Sequence, residues 1–268
     1  MNQRAGYRYE DSADIGRGDV CRHPLVAVGE LLQSMRYRFI TTTPLTHQRV
    51  NQRRGNEWAR NVTDIFGWSR PFRRSAISQE MFALLDRANV LEQHGGGWIS
   101  RVRWSTLGDS LFVHSRYPTN ESDAVFFGPD TYRFAQAIRA HLQKDTRSGI
   151  RAADIGCGAG AGAILTALAR PTAEVIAVDI NPQALDFTAI NSYLAGTQTV
   201  QTRHSDLLHD IDGDFDLIVS NPPYLLDPDQ RTYRHGGGKH GAALSLDIID
   251  SAVDRLAPGG FLVLYTGV

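Results

Sequence analysis

Cysteine is scarce: the chain has two, Cys21 and Cys157, far apart in sequence. That excludes a disulfide framework and a zinc site built mainly on thiolates, and no metal site is expected. Long apolar runs are also lacking. With no stretch of about 18 consecutive apolar residues, no membrane-spanning helix and no membrane partner are expected. The start, Met1-Asn2-Gln3-Arg4, lacks the apolar segment of a secretory signal, and the default location is cytoplasmic. Lysine is absent from residues 1–116, which carry 17 Arg against 11 acids, a balance of +6. Residues 117–268 hold 11 basic and 18 acidic residues, or −7, so the overall charge of −1 hides two unlike halves. The asymmetry suits a basic partner-binding half joined to a half with another task; surface arginines that merely confer solubility would give the same count.

What is present is ordinary globular material: 268 residues, 42% hydrophobic and 21% charged, enough for two modest domains or one large one. Residues 1–23 are polar and without period, and read as a loose tail. Residues 24–118 read as a basic recognition domain of helices and a β-hairpin. Leu25, Val28, Leu31, Leu32 and Met35 share one helical face. A second helix is expected over Asn51–Phe66 and a third over Ser75–Val90, with Ile77, Met81, Leu84 and Leu85 inward. The period then changes to two over Trp98–Trp104, and a partner strand, Leu111–Ser115, follows a turn at Leu107-Gly108-Asp109. Such a set could form a winged-helix-like nucleic-acid module, with Trp98 and Trp104 as stacking platforms, or a cap that positions substrate.

Tyr117-Pro118-Thr119-Asn120-Glu121-Ser122 is a polar connector, and residues 119–268 read as a second domain. Strands are expected at Ile150–Ile155, Glu174–Asp179, Thr199–His204, Phe215–Ser220 and Gly260–Thr266. Helices alternate with them over Tyr132–Gln143, Ala161–Ala169, Pro182–Ala195 and Leu244–Leu256. This βαβα order predicts an α/β fold on a parallel, Rossmann-like sheet. Two strand ends stand out. Asp154-Ile155-Gly156-Cys157-Gly158-Ala159-Gly160 closes one strand and opens a helix, with glycines that let backbone approach a ligand. Asp179, 25 residues after Asp154, ends the next strand where a carboxylate can accept from both hydroxyls of a ribose. Gly156, Gly158 and Ala161 also satisfy a dinucleotide pattern, so an NAD-dependent oxidoreductase has to be weighed. Against it, Asp154 sits where it would repel a pyrophosphate and welcome a cationic amino-acid moiety. The strand Phe215–Ser220 runs into Asn221-Pro222-Pro223-Tyr224: an amide, a stiff Pro-Pro and an aromatic ring, a clamp for a flat polar group.

Asp154–Gly160 resembles the first motif of class I S-adenosylmethionine-dependent methyltransferases, and Asn221-Pro222-Pro223-Tyr224 resembles the motif of their amino-group branch. Within that branch the chain is most similar to the release-factor glutamine methyltransferases, over about residues 123–268. Phe127-Gly128-Pro129-Asp130-Thr131 and Arg234-His235-Gly236-Gly237-Gly238-Lys239-His240-Gly241 look like two further segments of theirs. The resemblance implies S-adenosyl-L-methionine as cofactor and Asn221, Pro222, Pro223 and Tyr224 as the catalytic motif. It places the ribose on Asp179 beside Ile180, and the adenine next to Asp206 and Leu207. Phe127, Pro129 and Thr131 would close over the methionine end, and Gly156, Cys157, Gly158 and Gly160 would form the loop beneath it. Asp206 could equally cap a turn, Phe127 belong to the core, and Cys157 be a small filler. The implied reaction is methylation of a planar nitrogen: a glutamine amide in a translation-factor-like protein, or an adenine or guanine amino group in RNA or DNA. Lys239 and His240 stand where the family has an acid. Class I sheets carry two more strands after the fifth, and the sequence stops at Val268, so a further C-terminal part is expected.

Overall fold

The computed structural model describes residues 20–119, 121–197, 199–224, 236–237 and 241–267. The stretch 1–19 of the expected tail lies outside them, as does most of Arg234–Gly241, Lys239 and His240 included. Val20 is buried in the core and His23 Nδ1 accepts from Leu25 N–H at the start of α1 (Pro24–Ser34), so residues 20–23 are not loose.

Caps and prolines set the helix starts. Thr43 Oγ1 accepts from Thr46 N–H at the head of α2 (Pro44–Asn51), and Asn61 Oδ1 accepts from Asp64 N–H at the head of α3 (Val62–Phe66). The single helix expected over Asn51–Phe66 is therefore two, with irregular chain between. Gly55 lies there at φ +85°, and a bridge of Ala59 to Phe72 draws the backbone extended. The Thr43-Pro44 start was the signal for α2. The third helix shortens likewise: Arg74–Ala76 is a 3-10 turn, and α4 is Gln79–Arg87, capped by Ser78 Oγ.

The expected hairpin is two hairpins. β1 (Leu91–His94) pairs with β2 (Gly97–Ser100) across Gly95 and Gly96, both at positive φ. β3 (Val102–Leu107) pairs with β4 (Ser110–Ser115). The break falls at Arg101, where Ser100 Oγ bonds both N–H and C=O of Val102. Every residue of β3 is buried, so this hairpin is no exposed wing, and Trp104, wholly buried, cannot stack on a base. Trp98 packs edge-on against Phe82.

The second half begins with α5 (Pro129–Lys144). β5 (Arg151–Ile155), α6 (Ala161–Ala169), β6 (Glu174–Asp179), α7 (Pro182–Leu194), β7 (Val200–His204), β8 (Phe215–Ser220), α8 (Ala243–Val253) and β9 (Leu256–Leu264) follow. The five strands form one parallel sheet in the order β7-β6-β5-β8-β9, the Rossmann-like architecture expected. β9 starts earlier than expected because Leu256 already pairs with Phe215, ahead of a register shift. The central strands are apolar on both faces for a visible reason. Ala152, Val175, Ala177, Leu217 and Val219 face the core shared with α5, α6, α7 and the N-terminal half. Ala153, Ile155, Ile176, Val178 and Ile218 face α8. Asn191, on α7 and wholly buried, ties the halves together: its amide accepts from Val113 N–H and donates to the carbonyls of Val113 and Ala159. Among the described residues no helix is long and apolar enough to cross a membrane.

Candidate active site

The strand order reverses between β5 and β8, and ligands of open α/β sheets bind outside the carboxyl ends at such a reversal. Ile155 and Ser220 are register partners there, and Ser220 Oγ donates to the Ile155 carbonyl at 2.7 Å. The chains leaving these two residues, Gly156–Gly160 and Asn221–Tyr224, therefore emerge side by side. A cavity of about 180 Å³ opens between them.

Gly156, Gly158 and Gly160 adopt φ of +65°, +56° and +80°, a region that L side chains avoid. Gly156 and Gly160 do different work. Nothing lies within 4 Å of where a Cβ on Gly156 would stand, so the glycine leaves open space above the backbone. A Cβ on Gly160 would sit 2.8 Å from Thr188 Cγ2, so that glycine serves the packing of α6 on α7 and does not line the cavity.

Asp154 and Asp179 bracket this loop. Asp154, buried, accepts from Ala163 N–H at 2.8 Å, capping α6 from the end of β5. Burial, with Asp179 nearby, pushes its carboxyl up to about 7, so it is poised to gain a cationic neighbour. Asp179 accepts from Gly158 N–H (3.0 Å) and Asn181 N–H (2.9 Å), which stiffens the loop, while burial holds its carboxyl above the ordinary range. Each Asp179 oxygen keeps a lone pair for a hydroxyl.

The cavity gathers most of the residues singled out from sequence. Asp154, Gly156, Cys157, Gly158, Asp179, Ile180, Asp206, Leu207, Thr131, Asn221, Pro222 and Pro223 all line it. Four do not. Phe127 turns into the core against Phe112, His114 and Tyr132, with ring centroids 5.1–5.7 Å away. Phe126 lines the cavity in its place. In an extended stretch adjacent side chains point opposite ways, so the pair Phe126-Phe127 offered a choice that only the fold could make. Pro129 opens α5, where a missing N–H costs nothing. Gly160 is a packing residue. Tyr224 turns its hydroxyl away, donating to Asp130 Oδ2 at 2.6 Å. Asn181 and Ser205 line the cavity unforeseen, although Asn181-Pro182 carried a helix-cap signal.

A release factor glutamine methyltransferase of Lactococcus lactis subsp. lactis is 34% identical to this chain over 227 residues, covering 78% of each protein. The chain belongs to the release factor glutamine methyltransferase family. The Methyltransferase small domain family matches residues 134–266. The Deinococcus radiodurans member is 38% identical over 156 residues, 54% of this chain and 55% of that protein, so the chain matches about half the length of this relative. Among solved structures, the T. thermophilus 16S rRNA N2 G1207 methyltransferase, in complex with AdoMet and guanosine, has a TM-score of 0.46 and 18% identity, covering 76% of this chain and 58% of that one. Family membership sets aside the dinucleotide reading of Gly156 and Gly158 and makes S-adenosyl-L-methionine the cofactor. The cavity fits that group: open space over Gly156, a buried carboxylate on the side of the loop facing α6, and a second carboxylate at the end of β6.

Proposed function

We propose that this protein transfers a methyl group from S-adenosylmethionine to the side-chain amide nitrogen of a glutamine in a translation release factor. The supporting observation is that Asn221, Pro222 and Pro223 line the same cavity as Asp154, the glycine loop and Asp179, in a chain whose relatives are release factor glutamine methyltransferases. When bound, S-adenosylmethionine supplies an electrophilic methyl on a sulfonium whose departure leaves a neutral group, so no strong general acid is called for. Asp154 would hold the cationic amino-acid end and Asp179 the ribose hydroxyls. Asp206 and Leu207 would border the adenine, with Ile180 at the rim, half exposed.

An amide nitrogen is a weak nucleophile because its lone pair is delocalised. Asn221 Oδ1 and the Pro222 carbonyl would accept its two N–H bonds, turning the lone pair toward the methyl and stabilising the positive charge that develops on nitrogen. Positioning of this kind contributes about 7–11 kcal/mol in good cases. Pro222 and Pro223 fix the backbone that carries these acceptors. Two N-terminal arginines are spent internally, Arg70 on Asp64 and Asn51 and Arg103 on the Gly67 carbonyl, while most of the other described ones are exposed. The burial of Trp104, which removes one of the two rings that could have stacked on a base, favours a protein acceptor over a nucleic acid.

The test uses labelled S-adenosylmethionine and an extract lacking its own copy of the enzyme, with Asn221→Ala as blank. Label expected to survive nuclease, fall to protease and yield N5-methylglutamine supports the proposal. Label lost to nuclease replaces it with a base methyltransferase.

A further inference from the structure

Tyr224 is held from three sides by residues that the reading above does not use. Its hydroxyl donates to Asp130 Oδ2 at 2.6 Å, the length of a charge-assisted O–H···O⁻ bond, across 94 residues of sequence. Burial and that carboxylate both push the phenol above its ordinary range. The Tyr265 ring, from the chain leaving β9, stands at 6.3 Å and 66° to the Tyr224 ring. The backbone of Gly267 backs the ring so closely that a Cβ there would lie 2.7 Å from Tyr224 Cδ2. Asp130 is itself fixed: it sits in the first turn of α5, and its other oxygen accepts from Arg133 Nη1 at 3.3 Å. Tyr265 also stands beside Arg133 and, with Asp130, holds its guanidinium above the ordinary range. The next residue, Thr131, lines the cofactor cavity and bonds Gly128 N–H. One helical turn thus touches the cavity through Thr131 and the Tyr224 ring through Asp130.

We propose that Asp130 is a positioning residue for methyl transfer: it sets the plane of the Tyr224 ring beside Asn221, so that an incoming amide meets a fixed surface. The inference rests on the proposed function and adds to it: the Tyr224 ring, outside the cofactor cavity, is assigned to the acceptor. A rigid aromatic plate costs the bound amide less ordering than a mobile one, so the effect falls on the acceptor and not on the cofactor.

The test compares Asp130→Ala, Asp130→Asn, Tyr224→Phe and the double variant Asp130→Ala/Tyr224→Phe. Each is assayed for acceptor kcat and KM, and for S-adenosylmethionine Kd by calorimetry. Loss of a charge-assisted hydrogen bond predicts a fall of roughly tenfold or more in kcat/KM for Asp130→Ala and for Tyr224→Phe. The double variant should fall no further than the singles, because both remove one bond. Asp130→Asn, which keeps an acceptor oxygen, should recover most of the loss, and cofactor Kd should stay within about twofold throughout. Gly267→Ala should give the same acceptor defect by displacing the ring from behind with Asp130 intact. Additive losses, or a cofactor Kd that weakens in step with kcat/KM, overturn the proposal. A readout without substrate is the Tyr224 resonance in protein carrying 13C-labelled tyrosine, assigned by its disappearance in Tyr224→Phe; it should shift in Asp130→Ala and return in Asp130→Asn. If the wild type methylates no protein, the functional reading fails by itself. The resonance then decides whether Asp130 seats the ring, and an unmoved signal overturns the inference.

Discussion

Asn221 and the two flanking carboxylates divide the labour in a way that single substitutions can separate. Asn221→Ala should abolish transfer, by at least about a hundredfold as for other lost transition-state donors and acceptors, while S-adenosylmethionine Kd stays nearly unchanged. Parallel loss of cofactor affinity in calorimetry would tell against that division. Asp154 makes a pH prediction. Its carboxyl is raised to about 7, so between its ordinary range and pH 7 the folded protein keeps a proton that the unfolded chain has lost. Stability from this group is therefore fully present at low pH and falls as pH rises to about 7. Cofactor affinity runs the other way. A cation beside Asp154 favours the anion, so affinity should weaken up to about tenfold per unit as pH drops below 7. Asp154→Asn should flatten that slope without destabilising the free protein at pH 8. An unchanged slope, or a lower Tm at pH 8, contradicts the assignment. The loop glycines separate similarly. Gly160→Ala meets both a positive φ and Thr188, and should cost about 1–3 kcal/mol, read as a lower Tm. Gly156→Ala meets open space, so beyond its backbone strain its main effect should be on cofactor Kd. Equal Tm and Kd profiles for the two variants would show that the loop acts as one unit.

Among elements, α7 does more than separate two strands. Its Asn191 serves three backbone groups, on β4 and in the glycine loop, at 2.7–3.0 Å. Asn191→Ala leaves these buried groups without their partner and should destabilise by about 2–4 kcal/mol in denaturant titration. Because one of them is the Ala159 carbonyl, cofactor affinity should fall as well, though the side chain lines no part of the cavity. A stability loss within 0.5 kcal/mol, the size of an ordinary surface change, would mean that water replaces the amide.

Across the whole molecule the apolar core runs unbroken from Val20 and α1 through β3 and β4 to the sheet residues Leu217 and Val219. Leu194 on α7 and Trp104 on β3 both crowd Gly29 on α1 so closely that a Cβ would stand 2.4 Å and 3.1 Å from them. Halves that differ in charge thus share one interior. Thermal unfolding followed by tryptophan fluorescence, which weights the N-terminal half where all four Trp lie, and by far-UV circular dichroism should give coincident curves. Separate midpoints would show two independently folding domains.

Much of this was legible in the chain. Parallel strands buried on both faces need unbroken apolar runs, and Phe215–Ser220, Glu174–Asp179 and Ala161–Ala169 came out with the bounds read from sequence. The strand-end motifs were legible because glycine, a carboxylate and Asn-Pro-Pro-Tyr act through local backbone geometry, and local geometry is written locally. Three things were decided only by long-range contact. The N-terminal strands read as alternating, yet β3 is buried on both faces because α3 packs on it, Trp104 reaches Gly29 of α1 and the Phe39 carbonyl bonds Thr106. Phe126 rather than Phe127 faces the cavity, since β4 and Tyr132 claimed the other ring. Tyr224 bonds Asp130, a partner that no periodicity or spacing connects to it. Sequence pattern carries the period of an element and the residues at its ends; which face meets what is settled when elements that are distant in the chain compete for the same neighbours.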